Sequence, residues 1–160
     1  MLKFELITVG SLKEKYLKEA TDEYMKRLSG YCSPEIKELK EVRLPEDPPQ
    51  SEIDRALITE GKNILSKISE RSYVVVLAVE GKSFSSEKLA EHLSELPVRG
   101  YSSVTFIIGS SHGLSQEVKR RADLLLSVSA LTFPHQLMRP LCLEIVYRCL
   151  SIINGSRYHK

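Results

Sequence analysis

The stretch Tyr73-Val74-Val75-Val76-Leu77-Ala78-Val79 is an unbroken run of one aromatic residue followed by β-branched and other aliphatic residues. A strand with one face in water alternates apolar and polar residues, whereas an uninterrupted apolar strand is typical of a sheet covered on both faces. Val104–Ile108 and Leu124–Val128 repeat this pattern, and Leu2–Val9 is a further predicted strand. The sequence therefore predicts a sheet whose strands are buried between two layers.

Segments with helical spacing separate these strands. Apolar residues recur at this spacing over Leu17–Leu28, Gly30 is a typical helix stop, and Ser11 with Glu14 predicts a capping box at the start. Further helices are predicted after Ser51, after Ser85 or Ser86, and over Gln116–Ala122. Strands that alternate with helices pair in parallel through crossover connections. We therefore expect an α/β fold, a mostly parallel sheet with helices on both faces.

Two further segments have distinct patterns. Ile36–Leu44 alternates apolar and charged residues, which predicts a half-exposed or edge strand, and Pro45–Pro49 can only be a loop. Proline costs little at the first position of a helix, so the last helix is predicted to start or restart near Pro140. Its buried stripe is predicted to contain Leu141, Ile145 and Leu150, and its end lies at Asn154-Gly155.

Length and composition limit the possible classes. A chain of 160 residues is expected to form one domain, residues 1–160, and 42% hydrophobic with 28% charged residues is typical of a globular protein rather than a disordered or membrane-spanning one. The start at Met1 shows no signal-peptide pattern, so we expect a cytoplasmic protein. A net charge of +2 does not by itself establish a nucleic-acid partner.

The cysteines indicate neither a disulfide framework nor a metal site. There are three, Cys32, Cys142 and Cys149, and none forms a pair at metal-ligand spacing. Cys142 and Cys149 are seven residues apart and share a helix face, where cysteine usually acts as a small buried apolar residue. We expect no bound metal.

Gly109-Ser110-Ser111-His112-Gly113 matches the pattern G-x-S-x-G of a nucleophile elbow. Asp123 and His135 follow in the order found in α/β hydrolases, so a serine hydrolase is one interpretation. An elbow requires the helix to begin at the serine, however, and Ser115 is a better helix cap than Ser111. The hydrolase stays the less favoured interpretation.

A second interpretation uses the backbone. Gly109 ends a buried strand, where the missing Cβ would let a ligand approach the main chain. Val128–Phe133 leaves another strand and ends at Pro134, which restricts Phe133 to extended geometry. Beside the end of the Tyr73–Val79 strand, these turns would form an apolar pocket with exposed backbone groups. Such a pocket suits an adenine ring.

Over nearly its full length the chain also resembles a known family. The resemblance rests on Thr8-Val9-Gly10, Leu77 with Gly81-Lys82, Ile108-Gly109 with Gly113-Leu114-Ser115, Leu131–Arg139, Tyr147-Arg148, Ile152–Gly155 and Tyr158-His159-Lys160. In this order the motifs resemble the large-subunit rRNA pseudouridine methyltransferase H family of the SPOUT class. The resemblance implies an S-adenosylmethionine-dependent homodimer that methylates ring nitrogen 3 of a pseudouridine in 23S rRNA within the ribosome. It also implies an α/β fold with a C-terminal trefoil knot.

The resemblance further implies which residues contact the cofactor: Leu77, Gly109, Val128, Ser129, Ala130, Leu131, Thr132 and Phe133. Three positions depart from the family pattern. Ala78 stands where an aspartate is common, Ser110 where a second glycine is common, and Arg157 where a proline is common. Backbone contacts should survive these changes, whereas a contact made by the missing carboxylate cannot form. A SPOUT-like RNA-binding or assembly protein without catalysis is therefore a third interpretation.

Methylation of ring nitrogen 3 requires loss of its proton, so a base or a stabilising cation is needed. His135, Arg139 and His159 are the candidates by residue type and position. His92 lies in the middle of a predicted helix and is expected at the surface.

Cationic residues near the end of the chain, together with one tyrosine, are the candidates for RNA contact. The candidate RNA-binding residues are Arg148, Arg157, Tyr158 and Lys160. Leu137, Leu141 and Ile145 form a stripe that suits either a symmetric helix interface in a homodimer or the core.

Overall fold

Strands and helices alternate strictly in the computed structural model, which describes residues 2–159. In chain order the elements are β1 (Lys3–Val9), α1 (Lys15–Leu28), β2 (Ser33–Leu39), α2 (Gln50–Lys67), β3 (Ser72–Ser83), α3 (Ser86–Ser94), β4 (Ser103–Ile108), α4 (Gln116–Arg121), β5 (Leu124–Ser127) and α5 (His135–Ile153). The predicted buried strands at Tyr73, Val104 and Leu124 are confirmed.

The strands form one five-stranded sheet in the order β2-β1-β4-β3-β5, and every pairing is parallel. Helices α1, α3 and α5 pack against one face, around Phe4, Phe106 and Leu143. Helices α2 and α4 cover the other face, around Ile7, Val74 and Ile107. The predicted fold class, a parallel sheet with helices on both faces, is confirmed, and the trefoil knot stays a prediction.

The start of α1 differs from the capping-box prediction. The helix begins at Lys15, and Glu14 occupies the cap position without a side-chain hydrogen bond. The backbone N–H of Lys13 donates instead to Oε1 of Gln136 at 3.1 Å, which ties the preceding segment to α5. The helix therefore starts later than the capping box predicted, and the segment before it makes a long-range contact that a local sequence pattern does not predict.

The start and the buried face of α5 also differ from the prediction. The helix begins at His135, with Pro134 at the cap position, and continues through a buried Pro140. Proline removes one helical N–H and still persists within helices when packing stabilises the turn around it. The buried stripe contains Cys142, Leu143, Val146 and Cys149, whereas Leu141, Ile145 and Leu150 are only partly buried.

Strand β2 is shorter than the predicted Ile36–Leu44 and lies at the sheet edge, as its alternating pattern indicated. Residues 40–49 form an irregular connection to α2 that includes the predicted proline loop. Within residues 2–159 no helix combines the length and apolarity needed to cross a membrane.

Candidate cofactor-binding site

A cleft of about 430 Å³ lies at the carboxyl ends of β3, β4 and β5. This edge is where open parallel sheets bind ligands, because the loops after neighbouring strands converge there. Seven of the eight residues predicted to contact the cofactor line this cleft: Leu77, Gly109, Val128, Ser129, Leu131, Thr132 and Phe133. Ala130 belongs to the same loop but is not among the lining residues.

The turn after β4 forms one wall of the cleft. The N–H of Gly113 donates to the carbonyl of Ser110 at 2.9 Å, and Gly113 has φ +94°, which favours glycine. A Cβ on Gly109 would meet the Gly113 carbonyl oxygen and come within 2.7 Å of Leu114 Cγ. The missing Cβ thus makes room for the protein's own turn, and the prediction that it also lets a ligand approach the main chain stays a prediction.

A second wall follows Leu77, where β3 leaves its register with β5 and resumes it at Lys82. A Cβ on Gly81 would lie 2.7 Å from the Leu125 carbonyl, so only glycine allows the two strands to approach this closely. The displaced residues Ala78, Val79 and Glu80 line the cleft.

An ion pair borders this wall. Nζ of Lys119 lies 2.6 Å from Oε1 of Glu80, and this hydrogen bond lowers the pKa of Glu80. Both side chains line the cleft. Ala78 replaces the aspartate that is common in the family. A carboxylate is nevertheless present two residues later, at Glu80.

The loop after β5 forms the third wall and is folded by its own serines. Ser127 Oγ donates to the Ser129 carbonyl at 3.2 Å, and Ser129 Oγ accepts from the Leu131 N–H at 3.0 Å. The Leu131 side chain is 71% exposed at the mouth of the cleft.

The three predicted catalytic residues occupy different places. His135 is the first residue of α5 and lines the cleft. Arg139, one turn later, is buried; its Nη1 lies 2.6 Å from Oε2 of Glu38, and Nη2 donates to the Gly10 carbonyl at 3.0 Å. His159 is not a lining residue of the cleft, since its ring contacts Glu87 at 2.8 Å and Arg148 at 3.2 Å.

The predicted RNA-binding residues lie towards the far end of α5. Arg148 pairs with Glu144 at 2.7 Å and stacks on Tyr158, whose hydroxyl donates to Glu144 at 2.8 Å. Arg157 is exposed, and Lys160 lies outside the described residues. Within one subunit the structure does not bring this group together with the cleft.

The hydrolase interpretation requires Ser111, His135 and Asp123 to interact, and they do not. Ser111 lies in the tight turn between Ser110 and Gly113, and α4 begins only after Ser115, whose Oγ accepts from the Val118 N–H at 3.4 Å. The Asp123 carboxylate accepts from the Val74 N–H at 2.8 Å. No hydrogen bond joins the three side chains within residues 2–159, so no triad is assembled.

A buried acid that the sequence did not indicate is Glu60 on α2, whose Oε2 accepts from the Val42 N–H at 2.9 Å. Burial raises the pKa of Glu60, while the Val42 N–H, the Ser110 hydroxyl and the charge of His112 act in the opposite direction. Glu60 thus links residues 40–44 to the turn after β4. It lies in a helical segment whose pattern carries no signal for such a contact.

His92, predicted at the surface, is partly exposed, but it makes a contact with Tyr73 that the sequence did not indicate. Its Nε2 lies 2.7 Å from the Tyr73 hydroxyl, and burial lowers its pKa.

The three cysteines are free and buried, and burial raises the pKa of Cys32 to about 11. Among the described residues, no cluster of three or more histidine, cysteine or acidic residues is arranged to hold a metal ion.

Comparison with known proteins supports one interpretation. A family model described as "Predicted SPOUT methyltransferase" matches residues 2–159. Ribosomal RNA large subunit methyltransferase H of Streptococcus mutans is 52% identical over 159 residues, which cover 99% of this chain and 100% of that protein. Proteins of the same name from Clostridioides difficile and Leuconostoc mesenteroides are 52% and 48% identical over the same shares. The chain therefore belongs to the SPOUT methyltransferases, in the family of ribosomal RNA large subunit methyltransferase H.

Proposed function

We propose that this enzyme methylates ring nitrogen 3 of a pseudouridine in 23S rRNA, with S-adenosylmethionine bound in the cleft. The observation that carries the proposal is that one cleft is lined by seven of the eight residues that the family resemblance assigns to the cofactor. They come from the ends of three different strands, so sequence proximity alone does not explain their grouping. Relatives that match the whole chain are named as large-subunit rRNA methyltransferases.

The cleft has the size and chemistry that the cofactor needs. Its volume of about 430 Å³ lies within the roughly 300–1,000 Å³ of small-molecule sites. Leu77, Ile108, Leu126 and Phe133 supply apolar walls for an adenine ring. Glu80 and Lys119, which pair at 2.6 Å, add polar groups to the same lining.

When bound, S-adenosylmethionine supplies a methyl group on a positively charged sulfur, which a ring nitrogen can attack once its proton is removed. His135 is the residue best placed to accept that proton, because it lines the cleft at the first position of α5. The α5 N-terminus carries the positive end of the helix dipole, which favours the anionic ring left behind. Positioning of the two reactants contributes the rest of the rate increase.

Arg139 acts in this proposal by holding the start of α5. Both of its bonding nitrogens are occupied, by Glu38 and by the Gly10 carbonyl, so it has little freedom to follow a substrate. His159 stays a candidate only if it acts on the cleft of a second subunit.

We further propose a homodimer in the cytoplasm that acts on 23S rRNA within the ribosome. Leu137, 38% exposed, and the partly buried Leu141 and Ile145 leave an apolar stripe on α5 that a second copy would cover. In such a dimer the cations Arg148 and Arg157 of one subunit would lie near the cleft of the other and bind phosphates.

Nucleoside mass spectrometry of 23S rRNA from cells lacking the gene tests this proposal. We expect one pseudouridine that is methylated in the parent strain to be unmethylated in the deletion strain, and a plasmid copy of the gene to restore it. An unchanged modification map would refute the proposed function. Calorimetry with S-adenosylmethionine separates a catalyst from an assembly factor, because the latter interpretation predicts no binding.

A further inference from the structure

A second depression, the outer groove, lies beside the cofactor cleft at the same edge of the sheet. It has a volume of about 860 Å³ and lies between the β1–α1 loop, residues 38–45, the 111–112 turn and the start of α5. Its size is within the range of small-molecule sites. None of the eight residues assigned to the cofactor lines it. The outer groove therefore has room for a ligand of its own.

The outer groove and the cleft share a rim. Ser111 and His135 line both. A small cavity of about 10 Å³, the size of one water, also touches His135 and is lined by Thr8 and Gly109. The Thr8 hydroxyl is buried and has no hydrogen-bond partner within residues 2–159. This hydroxyl therefore has a hydrogen bond to offer to a water or ligand at the junction.

The walls of the outer groove are held by buried contacts. Gly10 N–H donates to the Leu39 carbonyl at 2.8 Å, and Arg139 binds both the Gly10 carbonyl and Glu38. The buried Glu60 holds the Val42 N–H at 2.9 Å. These contacts fix the irregular segment after β2 beside α5, so the groove is a formed feature rather than a gap between loose loops.

The mouth of the outer groove carries an excess of positive charge. Lys13, Lys40 and Arg43 are exposed lining residues, and no ion pair within residues 2–159 includes any of them. Of the two acidic lining residues, Glu38 is neutralised by Arg139 at 2.6 Å, which leaves Glu41 against three cations. The cations in excess can bind phosphates of a nucleic-acid backbone.

We propose that the outer groove holds the target nucleotide of the rRNA, with Lys13, Lys40 and Arg43 on the flanking phosphates. This assignment rests on the proposed function. A base seated there reaches the methyl donor across the Ser111–His135 rim, and a base must leave its stack before an enzyme can act on one of its ring atoms. Single-stranded RNA fits both the positive mouth and the volume of this open groove.

The double variant Lys40→Gln/Arg43→Gln tests the assignment on ribosomes purified from cells lacking the gene. We expect the KM for ribosomes to rise at least about tenfold, with kcat and S-adenosylmethionine affinity nearly unchanged. The slope of log KM against log salt should fall by roughly one for each phosphate that the variant no longer binds. Lys67→Gln/Arg71→Gln is the matched control, since it removes the same charge from exposed residues at the opposite end of the sheet.

The outcomes separate the two proposals. If the wild-type protein methylates the ribosomes and the Lys40/Arg43 variant has the same KM and salt slope as the wild type, the groove assignment alone is overturned. Wild-type protein that leaves the rRNA unmethylated refutes the proposed function and the assignment with it. A shift of the Lys40/Arg43 variant from dimer to monomer in sedimentation velocity would make the groove a subunit interface and also overturn the assignment. Retained cofactor binding shows that the variant is folded.

Discussion

At the scale of single residues, one wall of the cleft depends on the missing Cβ of Gly109. An added methyl group would meet the Gly113 carbonyl oxygen and Leu114 Cγ. We predict that Gly109→Ala displaces the turn, lowers S-adenosylmethionine affinity at least about tenfold in calorimetry, and reduces the free energy of unfolding by about 1–3 kcal/mol. Unchanged affinity would contradict this role of Gly109.

Gly30→Ala is the matched control for this prediction. The nearest atom to a Cβ on Gly30 is the Arg27 carbonyl oxygen at 3.4 Å, and the residue has no left-handed φ. The same methyl group should therefore leave cofactor binding unchanged.

The sequence indicated Gly109 and the loop after β5 because the ends of buried parallel strands meet at one edge of a sheet. It did not indicate Glu60, Glu80 or Lys119 as neighbours of these loops. Their placement depends on the register shift in β3 and on the packing of α2, which bring distant residues together. Local patterns contain no information on such contacts.

At the scale of elements, Arg139 fastens the first turns of α5 to the ends of β1 and β2. We predict that Arg139→Met lowers kcat for methylation at least about tenfold and the free energy of unfolding by about 1–3 kcal/mol, because the Gly10 carbonyl loses a buried donor. Steady-state kinetics and urea unfolding measure the two effects. Arg139→Lys should recover part of both, and an Arg139→Met protein with wild-type kcat would contradict the anchoring role.

The elements themselves were largely predictable, since period-two and period-3.6 patterns of apolar residues reflect burial directly. The boundaries of α1 and α5 were not. The Lys13–Gln136 hydrogen bond holds the segment before α1 against α5. Local rules place Pro140 at a helix start, but the buried packing of Arg139 and Pro140 stabilises a helix that continues through it.

At the scale of the whole molecule, a buried acid makes stability depend on pH. Glu5 on β1 is fully buried; burial raises its pKa, but hydrogen bonds from Lys3, Ser69 and Lys37 outweigh this and hold the pKa at about 2, against an ordinary 4.5. The ionised carboxylate therefore stabilises the fold above pH 4.5. This contribution, about 3 kcal/mol, is lost as the pH falls from 4.5 towards 2.

Urea unfolding across this pH range measures the effect. A single domain, the organisation predicted for residues 1–160, should unfold in one transition. Glu5→Gln should be less stable near neutral pH and lose stability less steeply in acid, whereas Glu19→Gln, at an exposed pair with Lys15, should follow the wild type. Equal acid sensitivity of Glu5→Gln and wild type would contradict the assignment.

The proposed dimer gives a second prediction at this scale. Leu137→Glu places a charge in the exposed stripe of α5 and should convert a dimer to a monomer in sedimentation velocity. Val98→Glu introduces the same charge at a side chain that is 91% exposed and should leave the dimer intact. A dimeric Leu137→Glu protein would place the subunit interface elsewhere.

The proposed reaction transfers one methyl group to one base, and reconstitution from purified components measures that transfer itself. Purified protein is incubated with isotope-labelled S-adenosylmethionine and ribosomes from cells lacking the gene, and the nucleosides of the 23S rRNA are analysed by mass spectrometry. We expect label in a single nucleoside, 3-methylpseudouridine, and at least about tenfold less label with Gly109→Ala protein at a cofactor concentration limiting for the wild type. Label in another nucleoside, or no label with wild-type protein, would show that the proposed reaction is wrong.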